Sequence, residues 1–197
     1  MPTIHRGATL TPHFREFLPG WVARQPWYAG SGVPELTPVG YFRFEDPAGA
    51  VGVETHLLRD DSVVYQVPLT YRDAPLDGPP EALVSTARHS VLGTRWIYDA
   101  VVDPVWVAEV SRLVATNGTS LPSGRSGVGP AEARGIRIRS AELMADATTI
   151  ELLRRVPEGH PPYDPDAVGL VMGSWHPDGA DGPVATGCLA VLHRDGV

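Results

Sequence analysis

Three consecutive segments of alternating side chains constrain the fold of this chain most strongly. They span residues 38–45, 51–59 and 63–71, and short turns at 46–49 and 59–62 join them. Regular alternation of apolar and polar residues is typical of a strand with one buried face, and turns this short connect antiparallel neighbours. The sequence therefore predicts an antiparallel meander with one buried face.

Two helices are predicted beside this meander. The first begins at Thr11-Pro12, where a hydroxyl can cap the helix and a proline suits its first position, but Pro19 should break or kink it. The second begins at the capping residue Asp103 and ends near Gly118. Few helices among many strands indicate an α+β fold.

The second half of the chain is predicted to form another antiparallel β region. Residues 119–134 are rich in Gly, Ser and Pro, which is typical of a flexible linker. Four strands are then predicted, at residues 135–140, 148–156, 167–173 and 184–193. The expected organisation is a first region at 1–118, a linker at 119–134 and a second β region at 135–197. A sheet edge exposed after His193 would make a homodimer plausible.

Charge composition excludes several classes of function. All 16 positively charged side chains are arginines, and the chain contains no lysine. This excludes Schiff-base chemistry, a lysine general base and a phosphate site that depends on lysine. The net charge of −7 argues against a nucleic-acid partner, because phosphate binding requires a basic surface.

The remaining composition describes an ordinary globular chain. Cys188 is the single cysteine, so an internal disulfide is excluded, and we interpret it as a small buried apolar residue. The seven histidines have no metal-ligand spacing, so we expect neither a metal nor a cofactor. No apolar run approaches the roughly 20 residues of a membrane helix, and the first residues lack a signal-peptide core. We therefore expect a cytoplasmic protein.

Aromatic and charged side chains concentrate in two segments, at residues 24–30 and 93–104. Exposed aromatic rings could stack on a sugar or on a partner, with charged neighbours as anchors. The candidate surface consists of Trp27, Tyr28, His89, Arg95, Trp96, Tyr98 and Asp99. The alternative, which the usual burial of Trp and Tyr favours, is a core in which each polar ring atom finds one partner.

Three segments resemble the N-terminal region of actinobacterial maltokinases, the ATP-dependent kinases that phosphorylate maltose. They read WVARQPWYAGSG (21–32), VPLTYRDAPLDG (67–78) and HSVLGTRWIYDAVVDPV (89–105). The resemblance implies a cap with a cystatin-like fold, a curved antiparallel sheet with a packed helix. It also implies that the second β region is similar to a degenerate kinase N-lobe, and that the chain is truncated before the catalytic lobe.

One position in the second region bears on catalysis. The segment ELLRRVPEG (151–159) resembles the strand that carries the family's phosphate-contacting lysine, and Glu151 occupies the lysine position. A carboxylate repels a triphosphate at short range. The family's catalytic aspartate and metal ligands have no matching positions, so the resemblance carries over no catalytic residue.

These observations leave three functional hypotheses. The first is a non-catalytic binding or regulatory partner of enzymes in α-glucan, maltose or trehalose metabolism. The second is a module that binds a small ligand or a glycan. The third is a glucan-active enzyme that uses Asp99 or Asp103, although no set of nucleophile, base and orienting group is visible.

Overall fold

The computed structural model describes residues 7–122, 128–138, 148–157, 159 and 164–194. These residues form two antiparallel sheets and two α-helices, which confirms the predicted α+β fold. The middle of the predicted linker, residues 123–127, lies outside the described residues. Neither described helix is long and apolar enough to cross a membrane.

A seven-stranded sheet, the large sheet, contains the predicted meander. Its strands are β1 (Leu10–Thr11), β2 (Thr37–Glu45), β3 (Gly52–Asp60), β4 (Val63–Arg72), β5 (Leu83–His89), β6 (Gly93–Asp99) and β7 (Leu121–Pro122). Their order across the sheet is β1-β5-β6-β4-β3-β2-β7. The neighbours β2, β3 and β4 confirm the meander, and β5 and β6 extend it as a hairpin.

A four-stranded sheet, the small sheet, forms the second region. Its strands are β8 (Ala131–Arg137), β9 (Thr148–Leu152), β10 (Ala167–Trp175) and β11 (Ala185–Arg194), in the order β8-β10-β11-β9. The structure places residues 131–134, which we had assigned to the linker, in β8. β11 lies between β10 and β9, and His193 near its end is paired on both sides.

Helix α1 (Phe14–Val22) begins later than predicted. The N-cap is His13 and not Thr11: His13 Nδ1 accepts a hydrogen bond from Arg15 N at 3.3 Å. Glu16 completes a capping box, since its carboxylate accepts a hydrogen bond from His13 N at 2.7 Å. The cap therefore forms two residues after the predicted start.

Pro19 lies inside α1 and does not end it, so the predicted break is wrong. A proline in a helix interior costs about 3 kcal/mol because it removes a hydrogen bond and clashes with the preceding turn. Four apolar side chains on one face of α1 are buried against the large sheet and offset this cost: Phe14, Leu18, Trp21 and Val22. Tertiary packing thus overrides the local signal.

Helix α2 (Pro104–Ala115) begins where the sequence predicts. Asp103 caps it, with Oδ1 accepting a hydrogen bond from Val105 N at 3.0 Å. The same carboxylate binds Arg72 on β4 through two hydrogen bonds of 2.6 and 2.7 Å. Asp103 is fully buried, so one charged pair fixes α2 to the large sheet.

The large sheet is buried on both faces, whereas its alternation predicted one buried face. Helix α1 covers one face, and α2 and the small sheet cover the other. On β4, Val67 and Leu69 face α1 while Val64 faces the small sheet. Gln66, a polar residue of β4, is buried and its Nε2 donates to Leu189 O at 2.8 Å.

Two crossing segments join the sheets at their edges. Residues 153–156 leave β9 and pair with β4 beyond the end of β6, where Gln66 N donates to Arg154 O at 2.8 Å. Residues 117–120 pair with β8 before the chain enters β7, and there Gly135 N donates to Gly118 O at 3.0 Å. The two predicted regions therefore share one core.

The Asp103 pair makes stability sensitive to acid. Burial opposes ionisation of Asp103, but the Arg72 guanidinium and the Val105 N–H together hold its pKa below the ordinary value. The unfolded chain therefore takes up this proton first, near pH 4, so the stabilisation is present above that pH and is lost as pH falls through the folded pKa. We expect Asp103→Asn to have a shallower loss of unfolding free energy than wild type in urea titrations between pH 7 and pH 3.

Candidate functional site

The candidate site lies in a notch where β6 ends and residues 153–156 take over the pairing with β4. Asp99, the last residue of β6, pairs with Leu69, and Arg154 pairs with Gln66. Arg154 Nη2 donates a hydrogen bond to Asp99 Oδ2 within this notch. Each of the two side chains is only 12% exposed. We call this group, with the aromatic rings around it, the Arg154 notch.

Trp27 covers the guanidinium of Arg154. The distance from Arg154 Cζ to the centre of the Trp27 ring is 5.1 Å, which is a cation–π contact. The ring also packs against Trp21 of α1 at 5.8 Å and Tyr65 of β4 at 5.9 Å, centre to centre. Trp27 thus connects α1, the large sheet and the second region at one point.

Tyr28 holds the loop that follows α1. Its hydroxyl donates to Asp60 Oδ2 at 2.9 Å, and the Tyr65 hydroxyl accepts from Ala29 N at 3.2 Å. Partial burial, and then the hydrogen bond to Asp60, raise the pKa of Tyr28 to about 12. Tyr28 therefore remains a hydrogen-bond donor throughout the physiological range.

The Arg154 notch has unused hydrogen-bonding capacity. Arg154 Nη1 and Asp99 Oδ1 are buried and have no hydrogen-bond partner among the described residues. A polar group or a water could occupy these atoms, since buried polar groups are normally satisfied. The ion pair leaves neither side chain available as a general acid or base, so the arrangement favours binding or structural cohesion over catalysis.

The sequence indicated only part of this notch. It singled out Trp27, Tyr28 and Asp99 but missed Arg154, which lies 55 positions from Asp99. Arg154 and Arg155 are adjacent, and nothing in their local pattern tells which one is half-buried. The partner of Asp99 becomes visible only from the pairing of residues 153–156 with β4.

Two of the predicted residues lie elsewhere, at the turn between β5 and β6. His89 Nδ1 accepts hydrogen bonds from Val91 N and Leu92 N, at 3.2 and 3.1 Å. Arg95 Nη2 donates to Leu92 O at 2.8 Å. Both residues shape a turn whose Val91 and Leu92 side chains are exposed. They lie at the opposite end of the β5–β6 hairpin from Asp99.

Trp96 and Tyr98 occupy a third location. They alternate with Arg95 and Ile97 along β6, so they lie on the face of the large sheet opposite the one that α1 covers. The Tyr98 hydroxyl accepts a hydrogen bond from Leu76 N at 3.0 Å and anchors the loop before β5. Trp96 is half-buried. The seven predicted residues therefore divide among three places.

Three other residues that the sequence analysis discussed have contacts that do not form a catalytic or metal site. Glu151 is exposed on β9, with Oε2 3.3 Å from His193 Nε2. Cys188 is buried, as predicted, and burial raises the pKa of its thiol to about 11. Asp103 is held by Arg72 and caps α2. Within the described ranges, no group of three His, Cys, Asp or Glu side chains could hold a metal ion.

Arg154→Met is expected to lower the free energy of unfolding by about 2 kcal/mol, because it leaves the buried Asp99 carboxylate without its charged partner. The fluorescence of Trp27 should also change, since the guanidinium over its ring is lost. Arg155→Met, a change at an exposed neighbour, is the matched control and should stay within about 0.5 kcal/mol of wild type. Urea denaturation of both variants measures these changes. Equal losses of unfolding free energy in the two variants would show that the contacts of Arg154 in the notch do not stabilise the fold.

Comparison with protein families gives a match in the first region of the chain. Residues 21–103 match the family model of the maltokinase N-terminal cap domain. The match begins within α1, spans β2 to β6 and ends at the cap of α2. It includes Trp27, Tyr28 and Asp99 but not Arg154. None of the curated proteins searched matches the chain.

Proposed function

We propose, from the match of residues 21–103 to the maltokinase N-terminal cap domain, that this chain is a non-catalytic binding or regulatory partner of enzymes in α-glucan, maltose or trehalose metabolism. The family match is the observation that carries the proposal. A fold alone does not specify a function, so the metabolic setting follows by association with the family. The proposed location is the cytoplasm.

Charge chemistry supports a role without phosphoryl transfer. Kinases hold the transferred phosphate with a lysine and with metal ions bound to acidic side chains. This chain has no lysine, and the carboxylates of Asp99 and Asp103 are each bound to an arginine. Glu151, at the position that resembles the lysine, is exposed and carries the opposite charge.

Affinity capture from native lysate tests the proposal. The tagged full chain should recover an enzyme that acts on an α-glucan, maltose or trehalose, and that enzyme should be absent from captures with the tag alone. Val91→Glu together with Leu92→Glu, which alters an exposed apolar turn, tests whether that turn contacts the partner. Recovery of no carbohydrate-active enzyme from the lysate of the source cells would contradict the proposal.

A glycan-binding module is the second candidate, and the position of Trp96 favours it. This ring is half-buried on the face opposite α1, where the strand register places it between Thr86 of β5 and Arg72 of β4. An aromatic ring flanked by polar side chains suits stacking on a sugar. In this second candidate function, the chain binds a glycan and not an enzyme.

Thermal shifts separate the two candidates. A ligand at a hundredfold excess over its Kd adds about 2.7 kcal/mol, which raises the Tm of a chain this size by roughly 5–10 °C. A shift with maltotriose that Trp96→Ala abolishes and Trp27→Phe retains would support glycan binding. A shift with Mg-ATP would contradict the non-catalytic role.

A further inference from the structure

The turn between β5 and β6 projects from the large sheet and carries exposed apolar side chains. Pairing of β6 with β4 ends at Trp96 and Arg72, so residues 88–95 extend beyond the end of β4. We call residues 88–95 the hairpin tip. The side chains of Val91 and Leu92 in this tip are 59% and 47% exposed. Adjacent apolar side chains that project in this way are available as anchors for a partner.

Hydrogen bonds fix the backbone of the hairpin tip. The amides of Val91 and Leu92 donate to His89 Nδ1, and Ser90 N donates to Thr9 O at 2.9 Å. A surface whose backbone is already ordered loses little conformational entropy on binding. The exposed apolar pair is therefore presented in a form that is ready to bind.

Positive charge flanks this apolar pair. Arg95 pairs with Ala87, which faces α1, whereas Arg88 is the next residue along β5 and lies on the opposite face. Arg88 is exposed, and residues 88–95 contain no acidic residue. The tip is therefore locally basic in a chain whose net charge is −7.

The opposite end of the large sheet is built from neighbouring turns. The β3–β4 turn lies there, and Arg59 Nη1 lies 3.5 Å from Asp178 Oδ1 of the β10–β11 turn, so these two turns are adjacent. The loop that follows α1 reaches the same end, since Thr37 at its close pairs with Arg59. We call this surface the acidic end; it consists of residues 33–37, 59–62 and 176–184.

Acidic and apolar side chains are exposed together at the acidic end. Its exposed carboxylates are those of Glu35, Asp61, Asp178 and Asp181. Arg59 is the single arginine of these three segments. Val33 and Val184 are 70% and 58% exposed. The acidic end therefore offers carboxylates to the arginines of the hairpin tip and apolar surface to its exposed apolar pair.

One molecule cannot bring these two surfaces together. They lie at opposite ends of β4, whose 10 residues at about 3.3 Å each separate them by roughly 30 Å. Two copies can satisfy the complementarity. Because the two contacting surfaces differ, each pair of copies would keep one tip and one acidic end free for further copies.

We propose that the hairpin tip of one copy binds the acidic end of a second copy, so that the chain associates head to tail. Arg88 and Arg95 bind carboxylates of the acidic end, and Val91 and Leu92 pack against its exposed valines. The tip is much smaller than the roughly 20–30 residues a side of a standard interface, so the association is weak and reversible. This contact goes beyond the proposed role as an enzyme partner and does not depend on it.

Sedimentation velocity of the full chain tests the proposal. The average mass of wild type should rise between about 0.01 and 0.5 mM protein, the range of a weak complex. Two double variants each disable one surface. Val91→Glu with Leu92→Glu changes the hairpin tip, and Glu35→Arg with Asp181→Arg reverses charge at the acidic end. Each double variant alone should remain monomeric over this range.

Mixing the two double variants distinguishes a head-to-tail contact from a symmetrical one. The first retains an intact acidic end and the second an intact hairpin tip, so an equimolar mixture should form a one-to-one dimer that does not grow further. Asp77→Arg with Glu81→Arg makes the same change in net charge at exposed positions before β5 and should associate like wild type. Melting curves identify any variant that does not fold.

Three results would overturn the proposal. The first is that wild type stays monomeric throughout the range, which would assign the hairpin tip to a different partner. The second is that either folded double variant associates like wild type. The third is that wild type associates but the mixture of the two double variants stays monomeric.

Discussion

Arg72→Ala is expected to lower the free energy of unfolding by about 3–5 kcal/mol, the range for removing one partner of a buried ion pair. The substitution leaves the carboxylate of Asp103 fully buried and without the two hydrogen bonds of 2.6 and 2.7 Å that neutralise it. It also loosens the start of α2, since Asp103 caps that helix. Urea denaturation at pH 7 measures the loss.

Arg59→Ala is the matched control. Arg59 also binds a carboxylate, that of Asp178 at 3.5 Å, but the two side chains are 36% and 64% exposed. Exposed pairs of this kind contribute about 0.2–1 kcal/mol. Equal losses in the two variants would show that the Arg72–Asp103 pair has no special weight in holding α2 to the large sheet.

Gly135→Ala is expected to cost about 3 kcal/mol or more, the upper range for overpacking, because the added methyl group collides with backbone. A Cβ at this position of β8 would lie 2.2 Å from Leu113 O and 2.7 Å from Val114 Cα. Helix α2 therefore approaches the small sheet so closely that only glycine fits. The collision can be relieved only if α2 and β8 move apart.

Gly78→Ala provides the comparison for this prediction. A Cβ at Gly78 meets nothing within 4 Å, so the change should stay within about 0.5 kcal/mol of wild type. Thermal denaturation of both variants measures the difference in stability. A Gly135→Ala variant as stable as Gly78→Ala would mean that α2 and β8 do not pack as described.

The sequence predicted the elements better than their packing. Alternation identified β2, β3 and β4, and the capping signal at Asp103 identified the start of α2. Pro19 misled because the local cost of proline was weighed without the burial of α1 against the large sheet. The burial of Gln66 could not be predicted, because its hydrogen-bond acceptors, the carbonyls of Leu153 and Leu189, come from the far half of the chain.

The candidate site shows the same limit. Trp27, Tyr28 and Asp99 stood out by residue type, but Arg154 joins them only through a crossing segment that no local pattern indicates.

We expect the large sheet and the small sheet to unfold as one cooperative body. They share a core, and crossing segments join them at two edges. Hydrogen–deuterium exchange of the full chain tests this directly. We predict that amides of β3 and β4 and those of β10 and β11 exchange through the same global opening, with equal free energies and equal responses to urea. Exchange of β10 and β11 through a separate, lower-energy opening that leaves β3 and β4 protected would contradict the account.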